Sequence, residues 1–461
     1  MIKNTVKYFD YLNNRMDASF YRERFNFTSK SYSSFHLSEL LWINPTVKYE
    51  NLSGNSAISF VPMEVVDEQN GKIAERRTTT VSKNKGFTRF KENDLIWAKI
   101  TPCMQNGKSA IAQNLVNGYG CGSTEFYVLR PKADNVLIEY IHFILRDKRV
   151  LESAKNSFGG SAGQQRVSCG YLKSIRIPLP PIEKQRQIVD LYQRAVEEKQ
   201  AKEREAAALL DGIDDYLLKE LGIALPENTG KERCFKVNIL DLIGGRFDPY
   251  YNRGFFNAFT KNITESGFHC KKIKDIICFL ESGSRPSGGV SDIKQGVLSI
   301  GGEHIGTNCE IELKTPKYIP VDFHKKIQNT QTRKLDILLV KDGATTGKVA
   351  IVDKTEFELQ NINEHVFMMR VKESVKPYFL LHILYSSVGQ IQIQRGITGA
   401  TVTGLTKDVV NNMIIPFPPI EKQAEIAEHI QSIRAEAKRL REEAACALEK
   451  AKREIESMIT V

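Results

Sequence analysis

Residues Pro178–Gln185 read PLPPIEKQ, and Pro416–Gln423, 238 positions further on, read PFPPIEKQ, with seven of the eight residues identical. Working outward, other pairs recur in the same order. Asp94–Lys99 (DLIWAK) matches Asp336–Lys341 (DILLVK). Gly107-Lys108 before Ala110-Ile111 matches Gly347-Lys348 before Ala350-Ile351. Arg15–Tyr21 (RMDASFY) resembles Arg246–Tyr251 (RFDPYY). Chance supplies one such match but not an ordered set. The 461 residues are two copies of one plan, far longer than a solenoid repeat and therefore a domain duplication.

Each copy has the same grammar. A globular part is rich in β-branched and aromatic residues broken by Gly, Asn and Pro, as in Phe60–Val66 and Val297–Ile300. A proline run follows, excluded from sheet interiors and from helices beyond their first turn. Behind it lies a long helix. Alternate steps of three and four from Ile182 meet Ile182, Gln185, Val189, Tyr192, Val196, Lys199, Glu203, Ala206, Leu210, Ile213, Leu217 and Glu220. From Ile420 they meet Ile420, Gln423, Ala427, Ile430, Arg434, Ala437, Arg441, Ala444, Leu448, Ala451, Ile455 and Met458. Such a narrow apolar seam demands a helical partner, and Gln185 and Gln423 would specify the register. Each helix would span roughly 60 Å at about 1.5 Å per residue, the first stopped by Gly222 and Pro226. The expected fold is α+β: two similar β-rich globular domains, 1–181 and 222–419, separated by two long helices, 182–221 and 420–461, that form an antiparallel coiled coil.

The chain carries a net charge of +10, but the two helical segments sum to −4, which leaves +14 on the rest. A basic excess confined to the globular parts points to a polyanion partner. Apolar content of 41% with 26% charged residues is that of a folded, soluble protein. No run approaches the roughly 20 apolar residues of a membrane span, and the start, MIKNTVKYFDYLNNR, lacks a signal-peptide pattern. Eight scattered cysteines, with no C-x-x-C pair, fit reduced, buried thiols in a cytoplasmic protein.

Catalytic motifs fail on inspection. Asp248-Pro249-Tyr250-Tyr251 lacks the second proline of the amino-methyltransferase motif, and its counterpart is Asp17-Ala18-Ser19-Phe20, so a repeated turn fits better. Gly118-x-Gly120-x-Gly122 has no following helix. Gly343–Lys348 (GATTGK) is one residue short of a phosphate-binding loop and reads as a hairpin turn. His304, His324 and His365 show no metal-ligand spacing. Neither a metal nor a cofactor is expected, and no enzyme activity.

Binding residues are more plausible. Arg76, Arg77, Lys83, Lys85, Arg89 and Lys91 occur with no acid among them, interleaved with Thr and Ser donors. Such a segment can contact several phosphates and leave an Arg for guanine edges. Arg285 sits in SGSRPSGG, Ser282–Gly289; Lys341 and Lys348 bracket the GATTGK turn with Thr345 and Thr346, mirrored by Lys99 and Lys108. Phe158–Arg166 (FGGSAGQQR) ends in Gln164, Gln165 and Arg166, side chains that pair bidentately with adenine and guanine. Its counterpart Gly396–Gly404 (GITGATVTG) offers Thr401 and Thr403 instead. Loops that diverge on a shared plan suit two domains reading different sequences.

With Ile177–Gln185 and Ile415–Gln423 each running from a Gly-rich loop into a long helix, the chain resembles the specificity subunit of type I restriction–modification systems over essentially its whole length. The resemblance implies that each globular part is a target-recognition domain reading one half of a bipartite site in double-stranded DNA. It implies that the helices set the gap and dock two adenine methyltransferase subunits, which restriction and translocase subunits then join. The methyl donor would belong to the methyltransferase. The alternatives are the specificity subunit of a type II enzyme that cuts on both sides of its site, or a non-catalytic coiled-coil adaptor.

Overall fold

A computed structural model of the chain describes residues 27–155, 157–159, 165–227, 237, 246–290, 293–398 and 404–460. The RMDASFY segment lies outside them. The chain divides into two compact units, residues 1–203 with 441–461, and residues 204–440.

In unit 1 the order is β1 (Ser34–His36), α1 (Leu37–Leu40), β2 (Leu41–Ile43), β3 (Ala57–Val61), β4 (Val66–Asp67), β5 (Lys72–Ile73), β6 (Arg77–Thr80), β7 (Thr88–Lys91), β8 (Leu95–Ala98), β9 (Ser109–Ile111), β10 (Tyr119–Gly122) and β11 (Phe126–Pro131). Then come α2 (Ile138–Leu145), α3 (Lys148–Lys155), β12 (Phe158–Gly159), β13 (Arg166–Val167), α4 (Cys169–Ser174), β14 (Arg176–Pro178) and α5 (Ile182–Leu221). Two four-stranded sheets run β2-β11-β8-β9 and β6-β3-β10-β7, while β14 pairs with β1. Unit 2 holds α6 (Gly254–Thr264), β15 (Cys270–Lys272), α7 (Ile273–Ile276), β16 (Ile277–Ser282), β17 (Val297–Ile300), β18 (Tyr318–Ile319), α8 (Val321–Lys326), β19 (Ile337–Val340), β20 (Val349–Ile351), β21 (Asn361–Ile362) and β22 (Val366–Val371). It closes with α9 (Pro377–Tyr385), α10 (Ser387–Gly396), α11 (Lys407–Asn412), β23 (Ile414–Pro416) and α12 (Ile420–Thr460).

The duplication read in the sequence is present in the topology. The order β16-β22-β19-β20 repeats β2-β11-β8-β9, and β15-β23 repeats β1-β14. In each unit one parallel pair forms, β3 with β10 and β17 with β21. The DLIWAK and DILLVK segments have no polar alternation because both faces of their strands are covered. Leu95 and Trp97 enter the core against helices α2 and α3, and Ile96 and Ala98 enter the core between the sheets. Ile337 and Leu339, against Leu338 and Val340, divide in the same way. The GATTGK segment joins antiparallel β19 and β20, with Gly343 and Gly347 at positive φ, as a hairpin turn requires. Asp248 Oδ1 accepts the Tyr251 N–H at 2.8 Å, so that segment is a turn as well.

Helix α5 ends in a Schellman motif. Gly222 has φ +68°, its N–H bonds Lys219 O, and the Ile223 N–H bonds Leu218 O. Helices α5 and α12 pack antiparallel within each unit. Lys202 pairs with Glu443 and Ile188 packs with Ile455 and Ile459 in unit 1; Glu220 pairs with Lys422 and Ala206 packs on Ala437 and Leu440 in unit 2.

Two expectations about this seam need correction. Ile188, Ala195 and Leu440 are buried where Val189, Val196 and Arg441 were expected, and Lys202 replaces the exposed Glu203. Steps of 3-4 and 4-3 share every seventh residue, so stepping alone leaves the intervening phase open. The two glutamines do not set the register. Gln185 is fully buried; its Oε1 accepts from Leu137 N at 2.9 Å and its Nε2 donates to Asn135 O and Pro180 O, both at 2.8 Å. Gln423 repeats this with Lys376 N (3.1 Å), Ser374 O (3.4 Å) and Pro418 O (2.9 Å). Each glutamine fastens the first turn of its helix to the globular part and to the preceding proline turn.

The cysteine expectation is also corrected: Cys121 and Cys309 are buried free thiols, but Cys278 and Cys446 are exposed. Matched histidines lie on α2 and α9, His142 half-buried beside Arg146 and His382 buried. Burial, then Arg146, holds His142 of α2 down to about 3 from 6.5. Burial, then Arg434, does the same to His382 of α9. Between pH 6.5 and 3 the unfolded chain binds protons at these rings that the folded chain refuses. Their stabilisation is therefore complete above pH 6.5 and is lost as pH falls, by about 1.4 kcal/mol per pH unit per histidine. His382→Leu is expected to remove about 2 kcal/mol of the stability difference between pH 7 and 5, read from denaturant unfolding at the two pH values. An unchanged difference would assign the acid sensitivity elsewhere.

Candidate nucleic-acid interface

The ends of β8 and β11 form one corner of unit 1, and β19 and β22 form the same corner of unit 2. The backbone is matched bond for bond. Lys99 N–H donates to Glu125 O at 2.9 Å, and Lys341 N–H to His365 O at 2.9 Å. Val167 N–H donates to Lys99 O at 2.9 Å, and Leu405 N–H to Lys341 O at 2.7 Å. Each lysine then lies with Nζ 5.5 Å from a ring centre, Tyr127 for Lys99 and Phe367 for Lys341. The caps of the following helices match too: Ser168 accepts from Tyr171 N, and Thr406 from Val409 N.

At the opposite end of β8 and β19 each unit buries an ion pair. Arg130 grips Asp94 at 2.6 and 2.7 Å, and Arg370 grips Asp336 at 2.7 and 3.0 Å; both aspartates are 1% exposed. At the corner the charged groups are open and differ in kind. Arg166 forms a two-bond pair with Glu125 at 2.9 Å, and this contact holds the Glu125 carboxyl below the usual range. In unit 2, Arg285 Nε meets Glu364 Oε1 at 3.0 Å, His365 Nε2 lies 3.4 Å from the same oxygen, and His365 Nδ1 bonds Asp342. Lys341 Nζ lies 3.8 Å from Asp342 Oδ2.

The structure brings some of the expected binding residues together and separates others. Arg89, on β7, shares an open hollow of about 350 Å³ with Thr88, Lys99 and Thr124, and stacks 5.1 Å from the Tyr49 ring. Lys83 and Lys85 are exposed on the turn before β7. Arg77 is already paired with Glu64 and, at 2.8 Å, with Glu75. Arg76 lines a groove of about 330 Å³ beside α5 with Lys72, Arg146 and Tyr192. Lys108 donates from Nζ to Met63 O at 3.2 Å. Gln165 is half-buried, its carbonyl held by Thr101 N. Lys348 and Thr345 share a backbone bond in the GATTGK turn, and Thr346 Oγ1 donates to Gly343 O at 2.7 Å. Gln164, Thr401 and Thr403 lie outside the described residues. Sequence reading missed Glu125, Asp342 and Glu364 because a search for bases passes over the acids that hold them, and it weighed His365 only as a metal ligand. Their only signal was position, immediately after or before a duplicated strand.

Among the described residues no cluster of His, Cys, Asp and Glu is placed to hold a metal ion, and no helix is long and apolar enough to cross a membrane.

The chain is 35% identical over 159 residues to the "Type I restriction enzyme EcoEI specificity subunit" of Escherichia coli, a match covering 34% of this chain and 26% of that protein. It is 22% identical over 334 residues to the "Type I restriction enzyme MjaVIII specificity subunit" of Methanocaldococcus jannaschii, covering 69% of this chain and 68% of that one. The fold is similar to a chain in a solved structure described as the structural basis of complex assembly and conformational transition of the type I R-M system. There the TM-score is 0.55 and the identity 18%, over 94% of this chain and 97% of that chain. The family described as the type I restriction modification DNA specificity domain matches twice, at residues 30–206 and 265–445, and the chain, with its duplicated sheets and helices, belongs to that family.

Proposed function

We propose that this chain is the sequence-reading subunit of a type I restriction–modification system and catalyses no reaction itself. The observation that carries this is the duplication: two copies of a DNA specificity domain on one frame, with different charged groups at the same corner. Residues 1–181 and 222–419 each read one half of a bipartite site in double-stranded DNA. Residues 182–221 and 420–461 form the helices that set the gap, and the chain docks two adenine methyltransferase subunits, with restriction and translocase subunits joining them. The relatives are subunits of type I enzymes, which favours that class over a both-sides-cutting type II enzyme.

The phosphate contacts are assigned to Arg76, Lys83, Lys85, Arg89, Lys108 and Lys348, with Arg77 contributing less because two carboxylates already hold it. Expressing the chain with its methyltransferase and sequencing DNA for methylated bases should return one motif of two short blocks around an unspecified gap. In the same complex, Lys83→Gln with Lys85→Gln should flatten the dependence of log affinity on log salt by up to about 0.9 per lost phosphate contact. A single uninterrupted motif, or methylation without this chain, would overturn the reading.

A further inference from the structure

Both units carry two kinds of ion pair at opposite ends of a matched pair of strands, β8 and β11 in one, β19 and β22 in the other. Asp94–Arg130 and Asp336–Arg370 are buried at one end and serve the core. Arg166–Glu125 and Arg285–Glu364 sit at the other end with exposed guanidinium groups, 41% and 59%. Partly exposed pairs contribute little to stability, so these can open at small cost. The surrounding frame is common to both units: the same two backbone bonds and the same lysine over an aromatic ring. On this shared frame the side chains at the tip differ. One tip holds Arg89, Lys99, Glu125 and Arg166. The other holds Lys341, Asp342, Glu364, His365 and Arg285, where Glu364 Oε2 is buried without a partner.

We propose that these corners are the base-reading tips of the two units, with Glu125 and Glu364 as sequence-determining acceptors. The proposal rests on the function above and names the residues that carry it out. A carboxylate accepts from the cytosine N4 amino group, and a guanidinium donates two bonds to guanine O6 and N7. Without DNA Arg166 pairs with both oxygens of Glu125, and Arg285 holds one oxygen of Glu364. On DNA they exchange that pairing for base edges of opposite hydrogen-bonding character. Lys99 and Lys341, propped on their rings, lie beside the tips as phosphate or guanine donors. A frame that is repeated while its tip chemistry changes is what two readers of different half-sites require.

The test uses the full chain with its methyltransferase in cells, read by methylation-aware sequencing. Glu125→Gln and Glu364→Gln keep side-chain shape and remove the charge. Glu125→Gln should lower discrimination for the original base at one position of one half-motif by roughly 5- to 150-fold, leaving the other half intact. Glu364→Gln should do the same in the other half. Methylation that falls at all sites with the motif unchanged would make the tips merely structural, or contacts for a protein partner, and would overturn the proposal. Failure of the function itself looks different, since the unaltered chain would then yield no bipartite motif.

Discussion

Replacing Arg370 with methionine is expected to destabilise unit 2 by about 3–5 kcal/mol, the cost of leaving a buried charge without its partner. Asp336 is 1% exposed, and burial pushes its carboxyl up against the lowering effect of Arg370. The same guanidinium also donates to Gln331 O at 2.8 Å, a second bond that the substitution removes. Adding Asp336→Asn should recover more than half of the loss. The amide oxygen can still accept the Arg333 N–H that Asp336 accepts at 2.7 Å, and no charge remains in the core. Denaturant unfolding of the full chain, with hydrogen exchange followed on β19 and β22, reads both numbers. A loss below about 1 kcal/mol would mean that water reaches the carboxylate and that the pair is peripheral. Arg130→Met should behave alike in unit 1, where the pair with Asp94 is built the same way.

That pair marks where the sequence stopped being legible. DLIWAK and DILLVK declare themselves as strands, but nothing near Asp94 or Asp336 points to an arginine 36 or 34 residues later. The duplicated proline segments announce the helices behind them, because proline chemistry and apolar spacing are local. Apolar spacing alone makes Gln185 a seam residue, since a helix pattern cannot show that its amide reaches Asn135, 50 residues back. Short helices such as α2, α3, α9 and α10 were not placed at all; α2 and α9 are largely buried and carry no polar face for periodicity to detect. The basic stretch Arg76–Lys91 was legible as charge but not as geometry. Folding sends Arg77 to Glu64 and Glu75, Arg76 to the groove beside α5, and Arg89 to the corner hollow.

Lengthening both helices by one heptad should change the DNA gap that the protein accepts while leaving both half-motifs as they were. The insertions belong after Glu203 in α5 and after Leu440 in α12, where each helix passes from one unit to the other. Contacts inside each unit are then kept, including Lys202 with Glu443 and Ala206 with Ala437. Seven residues preserve the seam because its pattern repeats every seven. They add roughly 10 Å of helix at about 1.5 Å per residue, equal to about three base pairs at roughly 3.4 Å each. Three base pairs also turn the groove by about 100° at roughly 10 pairs per turn. Two outcomes therefore agree with helices that set the gap: methylation at the same half-sites with a longer gap, or lost methylation in a protein that still folds. A single residue inserted after Val196 should instead damage folding of unit 1. It turns every later position by about 100° at 3.6 residues per turn and swings Lys202 away from Glu443. Undiminished methylation at the original gap after the double insertion would remove the helices from the control of spacing and leave that role to the methyltransferase subunits.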